Sequence, residues 1–367
     1  MEFPKEVMLP QKTIFASGAS SRIAEESLSF GNEGLIVHGR SLEKSGKLEE
    51  ILKIFPSPAK ISTICRSSGE PDIEEVSGAV AAARKIGAKW IAGIGGGSAL
   101  DLAKAAAGLY NAKENPSYYQ EDGKLKERGI PFIAAPTTAG TGSEATVNSV
   151  IINRQKNSKL SIRDNSFLAK TVILDPELLK GTPKEIISSA GMDALVQAYE
   201  AYISKNSTRF TDMYALRALS LINQNILGAH KSPNDENLSA MLIGSYYAGI
   251  ALAHARLGVI HGIAHPLGVL YGKPHGLICA LCLPASVKLN REAMGKKYKY
   301  ISTDTGIDFL ERAQVLLDML MIKSPFKGRE IIEKEKIIDE TLESSSTAAN
   351  PKPITRGDVE FLLKELF

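Results

Sequence analysis

Trp90-Ile91-Ala92-Gly93-Ile94-Gly95-Gly96-Gly97-Ser98-Ala99-Leu100-Asp101 reads as a short apolar strand, a glycine turn and the opening of a helix. Glycines in such a turn let the backbone approach a pyrophosphate, and a helix N-terminus offers unpaired N–H groups and partial positive charge. Ser98 adds a hydroxyl donor. The same pattern also makes a plain strand–helix corner, so the turn alone leaves both readings open. Outward from it the chain alternates. Residues 34–38, 60–65, 131–135 and 171–175 read as strands, and 42–54, 73–86 and 99–109 as helices, with a polar loop over 111–129. That alternation predicts an α/β domain with a parallel sheet covered on both faces. A second turn, Pro136-Thr137-Thr138-Ala139-Gly140-Thr141-Gly142-Ser143-Glu144, follows the next strand and offers four hydroxyls and two glycines. Together the turns suit a dinucleotide at the carboxyl ends of the strands.

Beyond residue 180 the strand signal fades. Residues 185–205, 210–227 and 237–257 carry helical periodicity. Two domains are expected, 1–180 (α/β) and 181–367 (all-helical), each large enough to bury its own core. Residues 327–343 read as a solvated helix face, 344–353 as a linker and 355–366 as a last helix.

Composition narrows the class. A net charge of +3 from 44 basic and 41 acidic residues gives neither a nucleic-acid face nor an acidic tail. No apolar run reaches the roughly 18 residues that span a bilayer, and the first residues do not resemble a signal peptide. The three cysteines, Cys65, Cys279 and Cys282, are odd in number and lie in apolar stretches, which fits a reduced cytoplasmic setting. Cys279 and Cys282 are read as core fillers.

Three of the six histidines lie within His261-Gly262-Ile263-Ala264-His265-Pro266-Leu267-Gly268-Val269-Leu270-Tyr271-Gly272-Lys273-Pro274-His275. His261 and His265 are one helical turn apart, and the Gly/Pro turn can return His275 beside them. Imidazole is the common ligand of zinc and ferrous iron. Capping histidines at a helix end are the alternative. His38 and His230 are read as structural.

The turns at 95–101 and 136–144, Gly191-Met192-Asp193-Ala194-Leu195 and the histidine block occur in an order that resembles the iron-containing (group III) alcohol dehydrogenase family. The resemblance extends through Asn350-Pro351-Lys352-Pro353-Ile354-Thr355. It implies a Rossmann-like α/β domain with a parallel sheet plus an all-α C-terminal domain, the dehydroquinate synthase-like fold, with nicotinamide and a divalent metal, Fe²⁺ or Zn²⁺, in the cleft between them. It also implies an NAD(P)-dependent alcohol dehydrogenase acting on a small alcohol or aldehyde, as a homodimer. The family's metal is held by an aspartate, a histidine four residues on, and two further histidines. Asp193, His261 and His275 match, whereas the fourth place is Gln197, a neutral and weaker oxygen donor. Three such ligands still hold a cation with a position open, as in related glycerol dehydrogenases; a metal-independent reductase of the maleylacetate reductase type and a non-catalytic nucleotide-binding protein are the alternatives.

His265 matches a family histidine beside substrate and cofactor, and transfers a proton or positions ligands. Cofactor contacts are expected from Gly39, Arg40, Ser41, Gly95, Gly96, Gly97, Ser98, Asp101, Thr137, Thr138, Thr141, Ser143, Val150 and Lys159. Gly39 stands where NAD-preferring members carry aspartate, and Gly39-Arg40-Ser41 leaves room, a cation and a hydroxyl for a 2′-phosphate. NADP(H) is therefore expected over NAD(H). Asn148, Leu252 and His254 match the substrate pocket. Arg256, where the family commonly has a small residue, either joins that pocket or lies on the outer helix face.

Overall fold

The computed structural model describes residues 3–66, 69–121, 123–155 and 158–367. Its elements in chain order are β1 Lys12–Phe15, α1 Ile23–Leu28, β2 Glu33–Gly39, α2 Arg40–Lys44, α3 Lys47–Lys53, β3 Lys60–Arg66, α4 Ile73–Lys85, β4 Trp90–Gly95, α5 Gly97–Gly108, α6 Pro116–Gln120 and β5 Phe132–Pro136. There follow β6 Asn148–Asn153, β7 Ser158–Arg163, β8 Thr171–Leu174, α7 Lys184–Ile203, α8 Arg209–Lys231, α9 Asp235–Ala255, α10 Val259–Tyr271, α11 His275–Met294, α12 Lys296–Thr305, α13 Phe309–Met319, α14 Lys334–Glu343 and α15 Arg356–Leu366. The chain gathers into two compact units. One holds 8–138 and 142–180; the other holds 181–367 with 139–141 and the residues up to Val7.

In the α/β unit the sheet runs β1-β8-β5-β4-β2-β3, every pair parallel. β4 is buried along its whole length, as apolar runs in parallel sheets are. Its carboxyl end lies beside that of β5, with Gly95 opposite Pro136, so both glycine turns leave the same edge of the sheet. Thr137 N–H donates to the Gly95 carbonyl (2.9 Å) and ties the turns together. A side chain at Gly95 would put its Cβ 2.6 Å from that of Ala99, so glycine there permits the close packing of α5 on the sheet.

Several sequence readings are corrected here. The expected helix over 42–54 is two short helices, because Gly46 adopts a left-handed φ of 75° between them. The expected loop over 111–129 contains α6, started by the Asn115 cap and Pro116. The β6–β7 hairpin and the edge strand β1 were not foreseen. Cys65 is exposed rather than apolar-packed. Of 327–343 only the second half is helical, and it buries Ile337 and Ile338.

In the helical unit, α7, α8 and α9 pack on one another. α8 buries Ala215, Ala218, Leu219, Ile222 and Ile226, a stripe at helical spacing, and starts in a Thr208 capping box. α9 is long and apolar enough to cross a membrane by composition, which the sequence reading missed; here it is largely buried against α7 and α8.

Candidate active site

Asp193, Gln197 and Glu200 occupy successive turns of α7 and form one buried stripe. His261 enters from the first turn of α10, and His275 opens α11. A Cβ at Gly276 would collide with the Ser189 carbonyl of α7. Glycine there lets the start of α11 close on α7 and brings His275 to Asp193. The Asp193 Oδ1 lies 3.5 Å from His261 Nε2 and 3.9 Å from His275 Nε2. Gln197 Nε2 donates to Asp193 Oδ2 at 3.0 Å. Asp193 Oδ1, His261 Nε2 and Gln197 Oε1 are buried and have no hydrogen-bond partner. Such atoms are rare in folded proteins, because each gives up hydration without replacement.

Glu200, which sequence reasoning missed, sets the orientation of His261. Its carboxylate accepts from His261 Nδ1 (2.6 Å) and from the backbone N–H groups of Ile260 (2.6 Å) and His261 (3.4 Å). It thereby caps the positive end of α10. With Nδ1 held by Glu200, Nε2 faces Asp193 and the His275 ring. Asn350 Oδ1 accepts from Val259 N–H at 3.4 Å, so the Asn350-Pro351 segment braces the same helix start. The signal for Glu200 was its place seven residues after Asp193, on the same face of α7.

The electrostatics point one way. Burial alone would raise the Asp193 pKa, but the His261 contact and the positive charges of His275 and His261 hold it below the usual carboxylate value. Burial opposes the charged form of His261, yet Cys279, Asp193 and Glu200 together hold its pKa well above the ordinary histidine value. The cluster is short of positive charge.

Cys279 is fully buried, as a core filler is, and it also lies beside the cluster. Its Sγ lies 3.5 Å from His275 Nε2, one turn along α11. Donor atoms of Asp193, His261, His275 and Cys279 all fall within 4.8 Å of one another. Burial pushes this thiol up to about 12. Cys282 is buried too, but is not among those four donors.

His265 lies one turn past His261, half-buried, with its ring 5.3 Å from that of His275. Leu252 and His254 are half-buried on α9, and His254 Nδ1 lies 2.8 Å from the Ile250 carbonyl. Arg256 is exposed just after α9, with φ 64°. That left-handed backbone explains why a small residue suits the position.

In the α/β unit, Gly96, Gly97 and Ser98 open α5, while Gly39 precedes Arg40 and Ser41, both exposed at the start of α2. Asp101, Ser143 and Val150 come together. The Asp101 carboxylate accepts from Ser143 Oγ (2.5 Å) and Val150 N–H (3.0 Å), and its carbonyl accepts from Ser149 Oγ (2.7 Å). The expectation that Asp101 binds cofactor thus meets a carboxylate already engaged by protein donors. Lys104, also missed, is fully buried and donates to the carbonyls of Ser143 and Asn148 and the hydroxyls of Ser143 and Thr146, at 2.6–3.0 Å. Burial lowers its pKa to about 8 and raises that of Glu144 to about 7. Thr138 lies against Gly96. Thr141 belongs to the helical unit. Lys159 lies in β7 opposite Ile152, and its side chain is outside the described residues.

Residues 10–176 match the family model for iron-containing alcohol dehydrogenases, and 187–367 match its C-terminal model. A probable alcohol dehydrogenase, EutG, of Salmonella typhimurium (strain LT2) is 34% identical over 81% of this chain and 76% of its own. A sulfoacetaldehyde reductase of Bilophila wadsworthia is 33% identical over 80% and 76%. A crystal structure of the sulfoacetaldehyde reductase of Bifidobacterium kashiwanohense with NAD⁺ superposes with TM-score 0.92 at 27% identity, covering 100% of this chain and 99% of that one. By its two matched models and these relatives, the chain belongs to the iron-containing alcohol dehydrogenase family of oxidoreductases.

Proposed function

We propose that the protein is a metal-dependent alcohol dehydrogenase or aldehyde reductase that transfers hydride between NADP(H), or NAD(H), and a small alcohol or aldehyde. The observation that carries the reading is the set of buried, unpartnered donors in the helical unit: Asp193 Oδ1, His261 Nε2 and Gln197 Oε1. Donors about 2.0–2.3 Å from a tetrahedral ion stand roughly 3.3–3.8 Å apart. The Asp193–His261 and Asp193–His275 separations of 3.5 and 3.9 Å fit that spacing. Asp193, His261 and His275 would hold the cation, with Gln197 at the family's fourth place. When bound, the cation supplies Lewis-acid polarisation of a carbonyl, and the nicotinamide supplies the hydride.

The chain's own residues do the rest. Glu200 holds Nδ1 of His261 and so turns Nε2 toward the place of the cation, while Asp193 supplies the carboxylate between His261 and His275. His265 orients the substrate oxygen or carries its proton to solvent. The amides at the start of α5 and the hydroxyls of Ser98, Thr137 and Thr138 receive the pyrophosphate. Exposed Arg40 with Ser41 supports a 2′-phosphate and hence NADP(H). Leu252 and His254 of the helical unit face the substrate in this reading. Sulfoacetaldehyde reductases among the relatives support a short polar aldehyde. Gln197 in place of histidine favours one second reading, a metal-independent reductase. Elemental analysis of the purified protein, with NADPH and NADH oxidation rates over a panel of short aldehydes, tests both. Stoichiometric zinc or iron and faster NADPH oxidation are expected; turnover at full rate without metal would select the second reading.

A further inference from the structure

We infer that Cys279 supplies a sulfur donor to the metal, so that the chain holds its cation with one carboxylate, two imidazoles and a thiolate. The inference rests on the metal-dependent reading above and specifies its ligand set.

Three observations support it. Sγ of Cys279 is 3.5 Å from His275 Nε2, the separation expected of neighbouring donors around one ion. It lies within 4.8 Å of the Asp193 and His261 donor atoms, two of which, Asp193 Oδ1 and His261 Nε2, are buried and lack any partner. His275 and Cys279 stand at i and i+4 on α11, so a single helix face aims both at the same point. Meanwhile the NH₂ of Gln197 is engaged by Asp193 Oδ2 (3.0 Å), which makes Gln197 a positioning residue for the carboxylate. A neutral amide has replaced an imidazole on α7, and a thiol on α11 restores the fourth strong donor. Carboxylate plus thiolate leaves the loaded centre neutral, where a carboxylate with imidazoles alone leaves it positive. The softer donor also favours Zn²⁺ over Fe²⁺.

Cobalt tests this without reference to turnover. The metal-stripped full chain is titrated with Co²⁺, uptake is measured by elemental analysis, and the near-ultraviolet spectrum is read for thiolate-to-cobalt charge transfer. One cobalt per chain with that band is expected. Cys279→Ser should lose the band and weaken Zn²⁺ binding by more than about 100-fold, beyond what an outer hydrogen-bonding partner costs. Cys282→Ser should keep both band and affinity. Gln197→Ala should keep the band and lose about 10–100-fold in affinity. Cobalt bound without the band, or a band that survives Cys279→Ser, overturns the sulfur donor and leaves the metal-dependent reading intact. No cobalt uptake by the wild-type protein overturns both.

Discussion

Asp193 and Asp101 are both carboxylates buried on helices beside groups that can carry positive charge, yet their surroundings differ in one respect. Around Asp101 the donors and acceptors meet. Ser143 Oγ and Val150 N–H reach the carboxylate, and Lys104 donates to Ser143, Thr146 and Asn148. Around Asp193 they do not: Oδ1, the facing His261 Nε2 and Gln197 Oε1 are buried without partners. A closed network holds a loop in place, whereas an open one is arranged for something from outside. The difference separates scaffold from site within one chain.

Removing the charge from each cluster should therefore have opposite signatures. Asp193→Asn is expected to lower zinc or iron content below one-tenth per chain and kcat/KM for aldehyde reduction by about 10³-fold or more. Any loss of stability in the metal-stripped variant should stay small beside that of Lys104→Met, because His261 and His275 hold the Asp193 pKa below its usual value only against the cost of burial. A large loss of stability in that stripped comparison would mean the open cluster is structural after all.

Lys104→Met should do the reverse. It leaves Asp101 buried without its neighbouring cation and takes one donor each from the Ser143 and Asn148 carbonyls, which costs about 3–5 kcal/mol. Unfolding of the α/β unit can be followed by the fluorescence of the single tryptophan, Trp90, buried in β4. Metal content should not change. Loss of metal with unchanged stability would erase the contrast.

A smaller effect sharpens the picture inside the helical cluster. Glu200 acts through His261, so Glu200→Gln should weaken Zn²⁺ affinity about 10–100-fold while Glu200→Asp recovers part of it. Competition against a chelator reads both. Equal affinity in all three proteins would make Glu200 a helix cap only.

Much of this was legible before any coordinates. The central strands are apolar runs bounded by glycine or polar residues, and the turn at Gly95 to Ser98 sits between one of them and a helix. Asp193, His261 and His275 could be matched because their residue types are rare and their spacing specific. The edge strand β1 and the β6–β7 hairpin were not, since Lys12–Phe15 is short and half of Asn148–Asn153 is polar. Lys104 in an alanine-rich helix reads as a surface lysine, and its burial depends on residues 143–148, far along the chain. Cys279 on an apolar helix reads as packing, because nothing local says that its face meets α7. What stayed hidden in each case was a contact between distant segments.

The smallest prediction concerns an unpartnered atom beside the closed network, Glu144 Oε1. Burial raises the Glu144 pKa from 4.5 to about 7, against the pull of Lys104. Between those values the folded chain keeps a proton that the unfolded chain releases. Stability from this group is therefore full below about pH 4.5 and falls as pH rises through 7. Lys104, lowered to about 8 from 10.5, acts at higher pH and in the opposite sense, so the windows do not overlap. Glu144→Gln stays neutral throughout and removes the first slope. Its stability relative to wild type should be level below about pH 4 and should rise by pH 7.5, while the Asp101 contribution cancels between the two proteins. A difference independent of pH would show that Glu144 is ionised in the fold and that the Lys104 network extends to include it, which would make the α/β cluster larger than its hydrogen bonds indicate.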